Sequence, residues 1–270
     1  MKQSKLHLNE LIEKYKNTSL LSELESNLRK ELSEDVSINL LEMNPICLKY
    51  HFRKDELSPL EITMSEQGVL EPLLVRKKNG KYQVITGLKT YFLAKKNKYS
   101  SLPVIVKDVS DDLLLIMIVH RLKTQSNENV LNKAYIYDSI LKLYPLTRNE
   151  LASLVDISIS QVTNTLRLLK LSECVKKALR ENKIAYGHAR MLVGLSDEQQ
   201  EYYLNRIIND KLSVRDIEQE IFFHKNEDKK NSNDLVKYKC KYKIAKDGKR
   251  IILDFDSTDL ATNFLNNLKK

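Results

Sequence analysis

The chain has 270 residues, of which 42% are hydrophobic and 30% charged, and its formal net charge at pH 7 is +9. This length accommodates one large domain or two to three small ones, and the hydrophobic fraction is sufficient for a packed core. The positive charge favours a polyanionic partner, either nucleic acid or an acidic membrane surface, although a lysine-rich genome would give the same excess.

The cysteines and the apolar runs exclude several classes of protein. Three cysteines without a CxxC pair indicate neither a zinc site nor a disulfide framework. No apolar run reaches the roughly 18 residues of a membrane span, and the first residues lack a signal-peptide core. We therefore expect a cytoplasmic protein.

The first predicted elements are a polar extension, a strand and a short helix. Residues 1–33 are predicted to be a helical or flexible segment, because their apolar stripe is weak. From Val36 the run VSINLL alternates as a strand does, and Asn44-Pro45 ends it. Ser58-Pro59 is predicted to open a short helix that Gly68 closes.

A hairpin and a strand–glycine–helix sequence follow. Two strand-like runs flank Asn79-Gly80, where both central residues of a type I′ turn need a positive φ. The strand before Gly87 leads directly into a helical pattern, an arrangement in which helix N-termini often hold phosphate. A strand over Pro103–Val106 and a helix over Asp111–Thr124 complete a predicted α+β domain, residues 34–125.

Strand patterns then disappear, and the rest of the chain divides into three parts. Apolar residues recur at helical spacing over a predicted all-α domain, residues 126–223. Residues 224–235 are predicted to be a linker. Residues 236–270 are predicted to be a ββα unit, with strands around Lys246-Asp247-Gly248-Lys249 and a helix over Thr258–Leu268. Because a unit of about 35 residues is marginal alone, we expect it to dimerise.

The segment LTRNELASLVDISISQVTNTLRLLKL, residues 146–171, predicts a helix-turn-helix. Thr147 with Glu150, and Ser158 with Gln161, have the spacing of capping boxes. Asp156 lies in the turn where glycine is frequent, and Asp tolerates the left-handed conformation. The predicted buried stripe of the second helix is Val162, Leu166 and Leu169.

The opposite face of the second helix has side chains that recognise DNA. Amides pair with adenine edges, arginine with guanine or phosphate, and hydroxyls with either. Residues 158–190 contain seven Lys or Arg and only two Glu. This excess of positive charge suits contacts with DNA phosphates. A helical hairpin with a solvated polar face is the alternative. The candidate DNA-binding residues are Ser158, Ile159, Ser160, Gln161, Thr163, Asn164, Thr165, Arg167, Lys176, Lys177, His188 and Arg190. For His188 and Arg190 a packing or capping role is equally open.

Four segments resemble the ParB family of chromosome and plasmid partition proteins, including its nucleoid-occlusion branch. The run QGVLEPLLVR, residues 67–76, is similar to the family's HGILQPLIVR, and LRLLKLS, residues 166–172, to its LRLL-x-LP. Gly187-His188-Ala189-Arg190 resembles GHxR, and LSVRDIEQEI, residues 212–221, resembles an NVRxLE-type segment. These matches occur in the family's order and spacing.

The resemblance implies a mechanism. Proteins of this family bind a palindromic site on double-stranded DNA as homodimers, bind CTP in the N-terminal domain, close as a clamp and slide along DNA. CTP hydrolysis or release reopens the clamp. A ParA-type ATPase usually engages the N-terminal segment. The first fifteen residues mix Lys and Glu, which does not favour the membrane attachment of some occlusion relatives.

The nucleotide motifs of the family are degenerate in this chain. GERRxRAA is GLKTYFLA here, with Phe92 in place of the third arginine, and ENxQR aligns with His120-Arg121-Leu122-Lys123-Thr124. The losses remove most bidentate phosphate recognition and the hard oxygen ligands that Mg²⁺ prefers. We therefore expect no catalytic residue, no metal, and no CTP or Mg²⁺ cofactor. The vestigial nucleotide pocket comprises Lys49, Glu71, Gly87, Lys89, Thr90 and Arg121.

Three functions follow from these features. The first is a ParB-like DNA-binding protein of chromosome or plasmid segregation without CTP hydrolysis. The second is a nucleoid-occlusion-like protein or a plasmid or phage regulator, and the third is a CTP-dependent DNA clamp with an altered pocket. Nucleotide titration separates the third from the others. The basic residues near the pocket could also hold another anion, although a solvated basic face is the preferred interpretation.

Overall fold

The computed structural model describes residues 32–124, 129–222, 240–244, 251–255 and 257–268. The predicted N-terminal extension lies outside these ranges except for its last two residues. The linker over 224–235 and the turn at Lys246-Asp247-Gly248-Lys249 lie outside them entirely. The described residues belong to two compact units, 32–205 and 206–268. None of the helices within the described ranges combines the length and the apolarity that crossing a bilayer requires.

The first unit contains a five-stranded mixed sheet. Its strands are β1 (Glu34–Ser37), β2 (Leu41–Met43), β3 (Leu73–Lys78), β4 (Lys81–Thr86) and β5 (Ser101–Val106). The order across the sheet is β1-β5-β3-β4-β2. The β1/β5 and β3/β4 pairs are antiparallel, and the β3/β5 and β2/β4 pairs are parallel. β1 and β2 therefore form the two edges.

The prediction of one strand over VSINLL is wrong. β1 ends at Ser37, a 3₁₀ turn covers Ile38–Leu40, and β2 begins at Leu41. The alternation of apolar residues continues through the 3₁₀ turn, so the sequence gives no sign of the turn. Leu40, an apolar residue of this pattern, is exposed. Four residues span at most about 14 Å, whereas the edges of a flat five-stranded sheet lie about 19 Å apart. The sheet must therefore curl to bring its edges together.

The hairpin and the glycine at the start of the next helix have their predicted conformations. Asn79 and Gly80 have φ values of 52° and 76°, which confirms the turn between β3 and β4. Gly87 has φ 85°, and a Cβ added there would lie 2.9 Å from the Cγ of Leu73 in β3. Both the backbone angle and the close approach of β3 require glycine at this position, whether or not a phosphate is bound.

Nine helices of the described chain begin in the first unit. They are α1 (Lys54–Gln67), α2 (Leu88–Lys96), α3 (Asp111–Thr124), α4 (Val130–Leu143), α5 (Arg148–Val155), α6 (Ile159–Arg167), α7 (Glu173–Arg180), α8 (Tyr186–Leu192) and α9 (Asp197–Asn209). The strand and helix predictions over β5 and α3 are confirmed, and Gly68 caps α1 with φ 74°.

The predicted start of α1 at Ser58 is wrong, because the helix begins at Lys54 and includes Pro59. Its first turn contains Asp55 and Glu56, whose negative charges stabilise the positive end of the helix dipole. Arg53, just before the helix, pairs with Asp55 at 3.1 Å and with Glu56 at 2.7 Å. These contacts stabilise the turn before the proline.

One apolar core extends from the sheet into the helical segment. Buried residues from Val36 to Val162 form a single cluster. Within it α3 packs on α5, and the six residues Leu114–Val119 of α3 are all buried. The predicted α+β and all-α regions therefore differ in sequence pattern but share a core.

A buried arginine ties the sheet to α3. The Arg76 side chain is 4% exposed, and its Nη2 lies 2.7 Å from Asp111 Oδ1. Its Nε and Nη2 also donate to Gln83 Oε1 at 3.0 and 2.8 Å, and Nη1 donates to the Val109 carbonyl at 3.0 Å. The Lys78 ammonium, 2.6 Å from Asp111 Oδ2, and then the Arg76 guanidinium hold the pKa of Asp111 below its ordinary value.

The second unit contains the end of α9 and the described C-terminal elements. These are α10 (residues 214–222), β6 (Cys240–Ile244), β7 (Ile251–Phe255) and α11 (Thr258–Leu268). β6 and β7 pair antiparallel from Cys240 opposite Phe255 to Ile244 opposite Ile251. The rings of Phe255 and Phe264 lie 5.4 Å apart, so α11 packs on β7. The predicted ββα unit is confirmed.

We expect Gly87→Ala to lower the free energy of unfolding by about 2–4 kcal/mol, because it combines a positive φ with overpacking against Leu73. Gly194→Ala is the matched control, since Gly194 has φ 95° but no atom within 4 Å of an added Cβ. Gly194→Ala should lower the free energy of unfolding by only about 1 kcal/mol. Urea denaturation of both variants measures the difference, and equal losses would show that the approach of Leu73 is unimportant.

We expect Asp111→Asn to lower stability at pH 7 by about 1 kcal/mol, since solvent screens a carboxylate that is more than half exposed. A carboxyl with a lowered folded pKa stabilises the fold above its unfolded pKa, near 3.8. That contribution is lost as the pH falls through the folded pKa. The difference between variant and wild type should therefore vanish in acid. Asp112→Asn removes the same charge from the same turn and should leave the acid dependence unchanged.

Candidate nucleic-acid interface

The first helix of the predicted helix-turn-helix, α5, begins at a complete capping box. Thr147 Oγ1 accepts from the Glu150 N–H at 3.2 Å, and Glu150 Oε2 accepts from the Thr147 N–H at 2.7 Å. The predicted apolar face, Leu151, Leu154 and Val155, is buried together with Ala152. The prediction for this helix is confirmed.

The turn between the two helices depends on a left-handed residue. Asp156 has φ 63° and ψ 43°, and its N–H donates to the Ala152 carbonyl. The next N–H, of Ile157, donates to the same carbonyl at 3.1 Å. The chain therefore leaves α5 abruptly, and three residues, 156–158, separate α5 from α6. The predicted tolerance of Asp for this conformation is confirmed.

The second helix, α6, begins at the second predicted capping box. Ser158 Oγ accepts from the Gln161 N–H at 3.2 Å. In return, Gln161 Oε1 accepts from the Ser158 N–H at 3.0 Å and from its hydroxyl at 3.2 Å. These bonds satisfy donors of the first turn and fix the orientation of the Gln161 amide.

The inner face of α6 differs from the predicted stripe. Val162 is buried as expected, but Leu166 and Leu169 are only half-buried. A 3₁₀ turn over Leu168–Lys170 follows α6 and turns Leu168, not Leu169, into the core. Thr165, predicted to contact DNA, is 7% exposed, so it is a packing residue of this face. The predicted stripe assumed a continuous α-helix, whereas the helix changes from α to 3₁₀ after Arg167.

The outer face of α6 presents most of the predicted DNA-contacting residues. Ser158, Ile159, Ser160, Gln161 and Arg167 are exposed, and Thr163 and Asn164 are half-buried. This face combines hydroxyl, amide and guanidinium groups on one short helix. It has the donors and acceptors that read base edges in a major groove.

The basic residues after α6 fall into two groups. Lys176 and Arg180 both pair with Glu173, at 2.9 and 3.1 Å, and the Lys176 side chain is only 12% exposed. These contacts lower the pKa of Glu173, with Lys176 as the largest cause. In contrast, Lys177 is exposed. The geometry thus favours Lys177 over Lys176 as a phosphate contact.

Several other cations are open to a polyanion. Across the described ranges no acidic side chain lies within salt-bridge distance of Arg167, Lys170, Lys177 or Arg190. All four are exposed. Within the described ranges they form a set of positive charges without a paired carboxylate.

His188 has a local structural role at the start of α8. Its Nδ1 accepts from the Ala185 N–H at 3.3 Å, so the neutral ring carries its proton on Nε2. Nε2 is buried and makes no hydrogen bond to the described residues. For His188 the sequence left open a DNA contact and a packing or capping role, and this geometry supports the capping role. Arg190, in contrast, is exposed.

A hydrogen-bonded junction that the sequence did not predict connects the segment before α1 to α4. Asn132 Oδ1 accepts from the His51 N–H at 3.0 Å, and Asn132 Nδ2 donates to the His51 carbonyl at 2.8 Å. Burial and the charge of Arg180 lower the pKa of His51, which favours its neutral form. Since α4 also packs against α5, α6 and α7, it joins this junction to the helix-turn-helix.

One residue of the predicted nucleotide pocket, Arg121, belongs to a group of side chains in mutual contact that we call the aromatic–Arg121 cluster: Tyr50, Phe52, Phe92 and Arg121. The Arg121 guanidinium lies 5.7 Å from the Tyr50 ring centre, and its Nη2 lies 3.5 Å from Cys47 Sγ. The Phe52 ring lies 4.6 Å from Tyr50 and 5.5 Å from Phe92. The structure thus brings Arg121 and the segment after Lys49 beside α2, the helix that begins after Gly87.

Most of the other predicted pocket residues lie at the surface. Lys49 lies 6.0 Å from the ring centre of Tyr135. Glu71, Gly87 and Lys89 are exposed, and Thr90 is half-buried. The alternative anion site is weakened as well, because Lys96 pairs with Glu61 at 2.9 Å and Lys95 lies 5.8 Å from the Tyr91 ring centre.

The residues present do not fit a nucleotide triphosphate with its metal. Phe92 offers a ring where phosphate recognition requires a cation, and His120 is 7% exposed in the core. In the part of the chain that the structure describes, no three His, Cys, Asp or Glu side chains are grouped so that they could hold a metal. Phe92 supplies no cation for a phosphate, and His120 supplies no hard oxygen ligand for Mg²⁺.

Comparison with known proteins gives the domain order described above, an N-terminal α+β domain followed by a helix-turn-helix domain. Residues 22–120 match the family model of the ParB N-terminal domain, and residues 126–226 match that of the ParB HTH domain. The probable chromosome-partitioning protein ParB of Helicobacter pylori is 36% identical over 184 residues, which is 68% of this chain and 63% of that protein. The chain thus matches less than two thirds of that relative's length.

Two further relatives extend the comparison. The probable chromosome-partitioning protein ParB of Campylobacter jejuni is 30% identical over 207 residues, 74% of each chain. A crystal structure of C-terminally truncated ParB from Caulobacter crescentus, complexed to the centromeric parS site, is 28% identical. That similarity covers 69% of this chain and 97% of the Caulobacter chain, with a TM-score of 0.40.

Proposed function

Because the chain belongs to the ParB family, we propose that it is a sequence-specific DNA-binding protein of chromosome or plasmid partition. The outer face of α6 is the observation that carries this proposal. Val162 anchors the helix in the core, the Ser158–Gln161 box fixes its first turn, and Ser160 and Asn164 belong to its outer face. A short helix held this way enters the major groove with its N-terminal residues toward the bases.

The exposed cations supply the sequence-independent part of binding. Arg167 and Lys177 are exposed, and no acidic side chain of the described residues lies within salt-bridge distance of either. Lys and Arg that approach phosphates release counterions, so affinity falls as salt rises. These contacts position α6, whereas Ser160 and Asn164 distinguish sequences.

The C-terminal ββα unit makes the protein a homodimer in this proposal. Two strands and one helix bury little surface, so a second copy is the economical way to complete their core. Two helix-turn-helix units related by a two-fold axis read a palindromic site on double-stranded DNA. A ParA-type ATPase is the proposed partner of the N-terminal segment, on the basis of the family resemblance.

The proposed protein acts without CTP hydrolysis. Support comes from the aromatic–Arg121 cluster, where Phe92 packs on Phe52 at the position of a family arginine. Gly87, the residue most suggestive of a phosphate loop, is accounted for by its φ and by its approach to Leu73. A DNA-bound state that does not depend on nucleotide is therefore the expected working form.

We expect Asn164→Ala to weaken binding to the preferred DNA by about 1–3 kcal/mol, since an amide that reads a base edge is lost. Binding to random DNA should stay unchanged. Arg167→Ala and Lys177→Ala should weaken binding to both DNAs and reduce the slope of log affinity against log salt by about 1 each. Fluorescence anisotropy measures both effects, with DNA selected from a random library by the full chain.

Lys96→Ala is the charge-matched control, because Lys96 already pairs with Glu61. It should leave the salt slope unchanged. If Asn164→Ala weakened preferred and random DNA equally, Asn164 would not be a base reader. If the selection enriched no sequence at all, the proposed function would be wrong.

A further inference from the structure

The first residue of α6 is an exposed aliphatic side chain. Ile159 is 48% exposed, and within residues 146–171, all of which the structure describes, no other large apolar side chain is exposed. Its neighbours on the outer face are polar. Water contact with a branched aliphatic group is unfavourable, and covering that group with another apolar surface is favourable. An apolar group on a base edge would provide that surface.

The second relevant side chain, Gln161, is restricted to one kind of hydrogen bond. Its Oε1 accepts from the Ser158 N–H, which can only donate, so the oxygen of the amide is the atom that faces Ser158. The hydroxyl of Ser158 lies at 3.2 Å from the same oxygen. The amide nitrogen is the remaining polar group, and it can only donate. Gln161 therefore cannot form the donor-plus-acceptor pair that recognises adenine.

We propose that the first turn of α6 selects a thymine, with Ile159 packed on its C5-methyl group and the Gln161 Nε2 donating to its O4. This inference rests on the proposed role of α6 as the DNA-reading helix. It makes Ile159 a specificity-determining residue, which reads a methyl group and forms no hydrogen bond.

The four bases offer different major-groove edges, and only one matches this pair of side chains. Thymine presents the O4 acceptor beside a methyl group. Cytosine presents an N4 donor, which the Gln161 amide nitrogen cannot accept. Adenine presents the N7 acceptor but no methyl group, and its N6 donor would need the amide oxygen that the capping box has engaged. Guanine presents two acceptors but no methyl group to cover Ile159.

The position of the two residues is compatible with a shared base. Ile159 and Gln161 lie on either side of Ser160 in the first turn, at the end of α6 that enters the groove. Because α6 is proposed to approach the bases with its N-terminal end, both side chains of this first turn lie at the floor of the groove in the proposed complex.

The test replaces each thymine of the selected DNA, one at a time, with deoxyuridine, which lacks only the methyl group. For the full-length wild type we expect one thymine in each half-site at which the replacement weakens binding about four-fold, the value of one buried methyl. For Ile159→Ala this replacement should have no effect. Ser160→Ala is the matched control from the same exposed turn and should keep the four-fold discrimination.

Gln161→Glu tests the hydrogen bond, because Glu preserves the capping box but removes the donor. A repeated selection with this variant should change the preferred base at the same position from thymine to cytosine, whose N4 donates to a carboxylate. Thermal unfolding should give wild-type melting temperatures for Ile159→Ala and Gln161→Glu.

Two results would overturn the inference while leaving the proposed function intact. The first is a selected sequence in which no thymine is sensitive to deoxyuridine. The second is a sensitivity that Ile159→Ala retains in full. A selection that enriches no sequence would instead contradict the proposed function itself, and the inference with it.

Discussion

The packing of α6 against α4 is the interaction on which the arrangement of the helix-turn-helix depends. α4 contacts α5, α6 and α7 and also the 3₁₀ turn Pro45–Cys47, so one helix supports both the DNA-reading helix and the segment before α1. The left-handed turn at Asp156 and the Ser158–Gln161 box then determine which side of α6 faces outward. Since the inner face is buried and the first turn is fixed, the backbone that carries the outer side chains is preorganised, which lowers the entropy cost of DNA binding.

Packing also accounts for the residues that stand at the positions of the family's nucleotide motif. Gly87 stays because β3 passes too close for a side chain and because the backbone has a positive φ. Phe52 contacts both Phe92 and Tyr50 through edge-to-face and tilted ring contacts, and Arg121 lies over Tyr50. A guanidinium that lies over a ring gains a cation–π interaction and stabilises the fold. In the function proposed above, packing among these side chains stands where the family motif has charged phosphate-binding residues.

Local features of the fold were predictable from the sequence, and long-range features were not. Both capping boxes, the Asn79-Gly80 hairpin, Gly68 and the bounds of α3 depend on residues a few positions apart. The split of VSINLL into two edge strands depends on pairing with β5 and β4, and no pattern within six residues reveals it. The burial of Thr165 and the Asn132–His51 junction depend on contacts with distant segments, the latter 81 positions apart. At the candidate interface the identity of the helix could be predicted, but the restriction of Gln161 to a donor required the geometry of the cap.

The most direct test of the account is a calorimetric titration of the full-length protein with CTP and Mg²⁺, with and without the DNA that the protein selects. The account predicts no heat of CTP binding in either case, together with specific DNA binding that weakens as salt increases. Micromolar CTP binding, or an affinity for DNA that changes when CTP is added, would contradict it. The pocket around Phe92 and Arg121 would then be a rebuilt nucleotide site, and a CTP-dependent DNA clamp would be the function to pursue.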